Sequence, residues 1–128
     1  MRFLTLEEVY YLHELALRKA GGRAGIRDFT LVHSALMRPQ ATFGGKELYS
    51  TIYLKAAAPI HSLILNHPFE DGNKRTGFFS LNAFLWKNGI RLMYTKAEGK
   101  RFCLGVEDKS FDLDKIALWI KKHARKMR

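Results

Sequence analysis

The chain has 128 residues and is short of several things: one cysteine, three prolines, and 12 acidic residues against 22 lysines and arginines. A lone cysteine, Cys103, excludes an internal disulfide and fits a reducing compartment, so the cytoplasm is the expected location. Its apolar neighbours mark it as a buried structural thiol rather than a nucleophile. No stretch is low in complexity and no internal repeat is present, which argues against disorder. No hydrophobic run approaches membrane length, since the most apolar window, residues 56–65, contains Pro59 and His61. Met1-Arg2-Phe3-Leu4-Thr5 passes straight into a charged pattern without a small-residue cleavage site, so no signal peptide is expected. The shortage of acids leaves a net charge of +10, which attracts polyanions: RNA, DNA, anionic lipid or acidic protein segments. Many of the cations end the chain, in Lys121-Lys122-His123-Ala124-Arg125-Lys126-Met127-Arg128, where they also complement a helix dipole. A dedicated nucleic-acid patch would add interleaved aromatics or a known motif. Neither is seen, so nucleic acid is not the favoured partner.

What the sequence does have is helical periodicity, and no stretch alternates well enough to predict a strand. At 128 residues a single domain over residues 1–128 is expected, and 47% hydrophobic with 27% charged residues is an ordinary globular balance. Thr5-Leu6-Glu7-Glu8 is a capping box that opens a first helix, closed by Gly21-Gly22. Asp28 caps a short second helix starting at Phe29, with Pro39 just beyond its end. The loop over residues 38–49 contains Thr42-Phe43-Gly44-Gly45, readable as a packed aromatic beside a hinge or as a mobile flap. Ser50 caps a third helix over residues 51–66, apolar nearly all round and kinked or broken at Pro59. A fourth helix covers residues 73 to about 88, and Thr95-Lys96-Ala97-Glu98 opens a fifth. Asp112 caps a sixth, residues 113 to about 126. The predicted fold is all-α, a six-helix bundle around two buried central helices.

The loop joining those central helices reads His67-Pro68-Phe69-Glu70-Asp71-Gly72-Asn73-Lys74-Arg75-Thr76. Connections inside a core normally carry little charge, and this one is dense with it. Pro68 disfavours helix at His67, so the third helix ends there with the imidazole facing the loop. Gly72 permits a turn that brings backbone amides close to a ligand, and Asn73 is a good cap ahead of an anion-binding helix start. Lys74 and Arg75 break a local rule: each cation at a helix N-terminus costs roughly 0.3–1 kcal/mol against the dipole. Bound phosphates would reverse that sign. The alternative is that Lys74 and Arg75 pair with Glu70 and Asp71 and seal the loop. Asp71 lies inside the proposed phosphate nest and suits Mg²⁺, which is often held by one carboxylate plus phosphate oxygens and water. Histidine is the side chain best suited to general-base work near neutral pH, so His67 is the natural general base, its alternative being a core histidine bonded to backbone. Zinc is disfavoured, because His61 and His67 lack a third ligand at local spacing.

These residues resemble the Fic/Doc superfamily signature HPFxDGNGR, with Lys74 in place of the second glycine. Lysine in that slot, followed by Thr76, is similar to the Doc (death-on-curing) branch. So are Phe3-Leu4-Thr5-Leu6-Glu7-Glu8-Val9, Gly25-Ile26-Arg27-Asp28 and Arg38-Pro39-Gln40-Ala41-Thr42-Phe43-Gly44-Gly45. The resemblance implies that His67 deprotonates a target hydroxyl, that Asp71 holds Mg²⁺, and that Phe69 anchors the loop. It further implies that Gly72, Asn73, Lys74 and Arg75 bind and orient the phosphates of ATP. A Doc-like toxin would pass the γ-phosphate to a threonine of elongation factor Tu and halt translation. The alternatives are a Fic-type AMP transferase and a basic nucleic-acid-binding toxin without catalysis. A Phd-like antitoxin is the implied partner. Thr95-Lys96-Ala97-Glu98-Gly99 is one residue short of the internal Fic inhibitory motif, so inhibition should come from another chain. Three departures stand out: His33 where Doc-like chains usually carry glutamate, Pro59 in the third helix, and the strong basicity.

Overall fold

Side chains that accept from backbone amides decide where most helices of this protein begin. In the computed structural model, which describes residues 1–127, α1 (Leu6–Ala20) opens on the anticipated capping box. Thr5 Oγ1 accepts from the Glu8 N–H, and Glu8 accepts from the Thr5 N–H in return. Asp28 caps α2 (Phe29–Met37) by accepting from the Thr30 N–H, and a 3₁₀ turn, Arg38–Gln40, follows it. The cap of α3 (Ile52–Asn66) is Thr51 rather than Ser50, with Thr51 Oγ1 accepting from the Leu54 N–H at 3.1 Å. A second capping box at Thr95 opens α5 (Lys96–Glu107), and Asp112 caps α6 (Leu113–His123). The remaining helix, α4 (Asn73–Lys87), begins differently.

Pro59 does not break α3, which continues through it. A proline inside a helix costs about 3 kcal/mol of propensity. Ala57, Ala58 and Ile60 around it are fully buried, and burial of that face holds the helix together.

Among the described residues the helices are joined by four short strands that the periodicity does not predict. β1 (Thr42–Phe43) and β2 (Lys46–Glu47) form a hairpin around Gly44-Gly45. β3 (Ile90–Leu92) pairs antiparallel with β4 (Ala124–Lys126), so α6 stops at His123 instead of running to about residue 126. Leu92 faces Ala124 in the register, and the Met93 N–H donates to the His123 carbonyl at 2.8 Å. That pairing overrides the helix preference of the final basic segment, which is weak once its partner strand is in place.

Six helices among the described residues make the fold all-α, as predicted. α3 sits at the centre, against α4, α6, α2 and α5. α4 buries one face and exposes Trp86 on the other, so only α3 is surrounded. The main core gathers Ile60, Ile64, Leu85, Phe102 and Ile120, while a second cluster joins Val9, Val32, Leu63 and Phe69. Gly77 lets α3 and α4 approach closely, because a Cβ there would lie 3.1 Å from Ile64 Cγ1. This close pair fixes the end of α3 and the start of α4 side by side. Among the described residues, no helix is long and apolar enough to cross a membrane.

Candidate active site

α3 ends at Asn66, and His67 follows in the left-handed conformation at φ 47° and ψ 58°. For a residue with a Cβ that conformation costs roughly 1–2 kcal/mol, so something must hold it. Arg27 does, its Nε donating to the His67 carbonyl at 2.9 Å and its Nη2 to the Asn66 carbonyl at 3.0 Å. The turn leaves the His67 side chain exposed. The next residues are pinned by a short antiparallel contact with residues 25–28. The Pro68 carbonyl accepts from the Arg27 and Asp28 N–H groups, the Glu70 N–H donates to the Gly25 carbonyl, and Ile26 bridges Phe69.

Phe69 is buried and stacks on the His13 ring of α1 at 3.8 Å between centroids. His13 Nε2 donates to the Asp71 carbonyl at 2.8 Å. Phe69 therefore anchors the loop, with a histidine as the bracket on which it rests.

Asn73 is not the cap of α4 but its first residue. Its Oδ1 accepts from the Phe69 N–H and its Nδ2 donates to the Phe69 carbonyl, both at 3.0 Å. The Asn73 side chain is thus committed to locking the loop. The capping position falls to Gly72, at φ 82°, and no side chain caps the helix. Thr76 N–H bonds the Gly72 carbonyl, while the amides ahead of it meet no capping acceptor. Helix starts left open in this way favour anions.

The charges around that start do not form the seal that Lys74 and Arg75 could have made with Glu70 and Asp71. Arg23 takes both acids instead, its backbone N–H donating to Asp71 Oδ2 at 2.6 Å and its guanidinium lying 3.5 Å from Glu70. Lys74 Nζ turns the other way, to Glu107 Oε1 on α5 at 3.0 Å. Arg75 is exposed and makes no ion pair among the described residues. The arrangement sets an accessible imidazole, a half-exposed carboxylate and two cations around a set of uncapped amides.

Residues 3–85 match the Fic/DOC family, a span that contains the whole loop and all of its brackets. The chain belongs to the Fic/DOC family. It is similar to "Toxin Doc" of Mycolicibacterium smegmatis (strain ATCC 700084 / mc(2)155), 36% identical over 117 residues, which covers 90% of this chain and 88% of that protein. It is also similar to "Protein kinase doc" of Escherichia phage P1, 29% identical over 92 residues, or 72% of each chain.

Between α4 and α5 runs an open groove of about 540 Å³, lined by Lys74, Arg75, Phe78, Tyr94, Lys100 and Cys103 among others. Burial pushes the Cys103 thiol up to about 11, against the pull of Lys74, which keeps it protonated at neutral pH and fits a structural role. The β1–β2 hairpin carries Phe43, which is 81% exposed and therefore not a packed anchor. Its root is fixed by Lys55 Nζ, which binds Glu47 and the Tyr49 carbonyl, and by Arg38, which donates to Tyr49 Oη and Ser62 Oγ. Arg38 Nη1 also faces His61 Nδ1 at 3.0 Å. Burial and the Arg38 charge hold that imidazole below its usual value, against a weaker opposing pull from Asp112.

Four residues that shape the site do not announce themselves in the sequence: His13, Arg23, Arg27 and Glu107. Arg27 lies in one of the segments that carried the resemblance, which marked the place without the role. His13 sat on the apolar stripe of α1 and looked like any core histidine. Arg23 carried no signal at all, because its partner Asp71 is 48 residues away.

Proposed function

We propose that this Fic/DOC chain is the toxin of a toxin–antitoxin module, an enzyme that passes the γ-phosphate of ATP to a threonine hydroxyl of elongation factor Tu in the cytoplasm. The observation that carries the reading is Lys74 in the first turn of an uncapped α4, beside an exposed His67. Similarity to a toxin and to a protein kinase supports it from outside the structure.

In this reading the amides at the α4 start and the Arg75 guanidinium receive phosphate oxygens, where dipole and charge act together. Gly72 keeps those amides open because it brings no side chain to the cap. Lys74 supplies a second cation, and Asn73 holds the loop so that these groups keep their spacing. His67 takes the proton from the target hydroxyl. The hydroxyl oxygen bonds to the γ-phosphorus as the bond from that phosphorus to the β,γ-bridging oxygen breaks, and ADP leaves with the electron pair. Transfer of this kind needs positioning and charge stabilisation more than covalent help.

Asp71 fits a divalent cation as far as its donors go. One carboxylate oxygen accepts from Arg23, and Oδ1 has no protein partner among the described residues. Mg²⁺ is commonly shared between one such oxygen, phosphate and water, and when bound would neutralise phosphate charge. Arg23 lies beside the same carboxylate and competes for it.

The basic groove between α4 and α5 suits an acidic segment of a Phd-like antitoxin, which would cover the site and place complementary charge against Lys100.

The test is transfer of label to elongation factor Tu from ATP labelled at the γ- or the α-phosphate. Label from the γ-position alone is the expected result. Label from the α-position alone would make the protein an AMP transferase, and label from neither would end the transferase reading for this target.

A further inference from the structure

The stripe of α5 that faces α4 runs Lys96, Lys100, Cys103, Glu107, three or four residues apart and so on one side of the helix. Lysines stand at its start, and an acid stands at its end beside the candidate active site. That acid, Glu107, binds Lys74 Nζ at 3.0 Å. Helical side chains lean toward their own N-terminus, so a lysine in the first turn of α4 has a natural resting place over the uncapped amides. Glu107 draws the ammonium away from that place and toward α5. Both side chains are only partly exposed, 41% for Lys74 and 38% for Glu107, so each still meets solvent and the contact can open for a stronger anion.

We propose that Glu107 is a positioning residue: it acts as a resident substitute for phosphate, holding Lys74 to the α5 side of the site and so fixing which phosphate of a bound nucleotide the lysine meets. The inference rests on the nucleotide reading above and deepens it. Two consequences follow from charge and geometry. With Glu107 in place the amides stay clear for one phosphate while the ammonium marks a second position nearer the groove. Without it the long, flexible lysine is free to fold back over the amides, and the two positions merge.

The experiment compares wild type with Glu107→Gln, titrated with ATP and followed by calorimetry and by ³¹P NMR of the bound nucleotide. In wild type one phosphate resonance should shift far more than the other two. In Glu107→Gln the selectivity among the three should fall to less than half, while affinity rises about threefold because a repelling carboxylate is gone. Lys74→Met should flatten the pattern in the same way, and adding Glu107→Gln to it should change the pattern no further. A merely structural Glu107 would lower the melting temperature without altering the relative shifts. Should both proteins bind ATP with the same pattern and the same affinity, this inference is overturned and the transferase reading stands. Should folded wild type bind no ATP, both fall together.

Discussion

The starts of α1 and α4 answer the same physical demand in opposite ways. At α1, Thr5 and Glu8 satisfy orphan amides within the protein, and Glu7 and Glu8 place negative charge against the helix dipole. At α4, Gly72 offers no side chain, no acid lies in the first turn, and Lys74 and Arg75 put positive charge where the dipole is already positive. The α1 start is complete without any other molecule. The α4 start has no such partner from a side chain of its own cap, and in the function proposed above a phosphate takes that place. Surrounding structure keeps the second arrangement in place: Arg27, His13 and Asn73 hold the loop with bonds that never touch the open amides. The loop is held from behind, and the amides in front stay open.

The largest effect that could break this contrast concerns His67. His67→Ala should lower phosphate transfer by about 10²–10⁴-fold, the usual range for a general base, with no drop in melting temperature. Initial rates and thermal melts on the same preparation decide it, and a large loss of stability with little loss of rate would reverse the assignment of this residue. Asn73→Ala comes next. It strips both bonds from the buried Phe69 backbone, at about 1–3 kcal/mol, and should lower urea stability and transfer rate together. Thr5→Ala should cost about 1 kcal/mol of stability and leave transfer untouched. If Thr5→Ala slowed transfer as much as Asn73→Ala did, the two helix starts would not be separable in the way proposed.

Local rules made most of the scaffold readable. Thr5, Asp28, Thr95 and Asp112 cap the helices they were expected to cap, because a cap and its amides are two or three residues apart. The shift from Ser50 to Thr51 shows the limit of that reading, since two adjacent hydroxyls can each serve and the chain's approach to α3 chooses between them. β4 was hidden for a different reason. Ala124, Arg125 and Lys126 look like more helix until Leu92, far back in the chain, is placed beside them. The site divides along the same line. Its residues are legible as a charged loop at a helix start, where Lys74 and Arg75 against the dipole point to phosphate and the resemblance to a known signature points to ATP. The partners of that loop were not legible, because Arg23, Arg27 and Glu107 reach it from 33 to 48 residues away. Even Asn73, a cap by its residue type, spends its amide on the Phe69 backbone rather than on the helix start.

The smallest expected effect sharpens the comparison through acid. Burial pushes the Glu8 carboxyl up, but hydrogen bonds from Lys87 and the Thr5 N–H outweigh it, and the group sits below its usual 4.5. A carboxyl whose folded value is depressed favours the folded state in its charged form. That contribution is fully present above pH 4.5 and is lost as pH falls through the lowered value. Glutamine fills the same position of a capping box without a charge, so Glu8→Gln keeps the geometry and removes only the titration. Melting temperatures measured from pH 7 down to pH 3 should therefore fall more steeply below about pH 4.5 in wild type than in Glu8→Gln. The difference should be small, because the Lys87–Glu8 pair is partly exposed and such pairs are worth little in water. Parallel curves across the whole range would mean that the α1 cap draws on its hydrogen bonds alone, and that charge distinguishes the two helix starts only at α4.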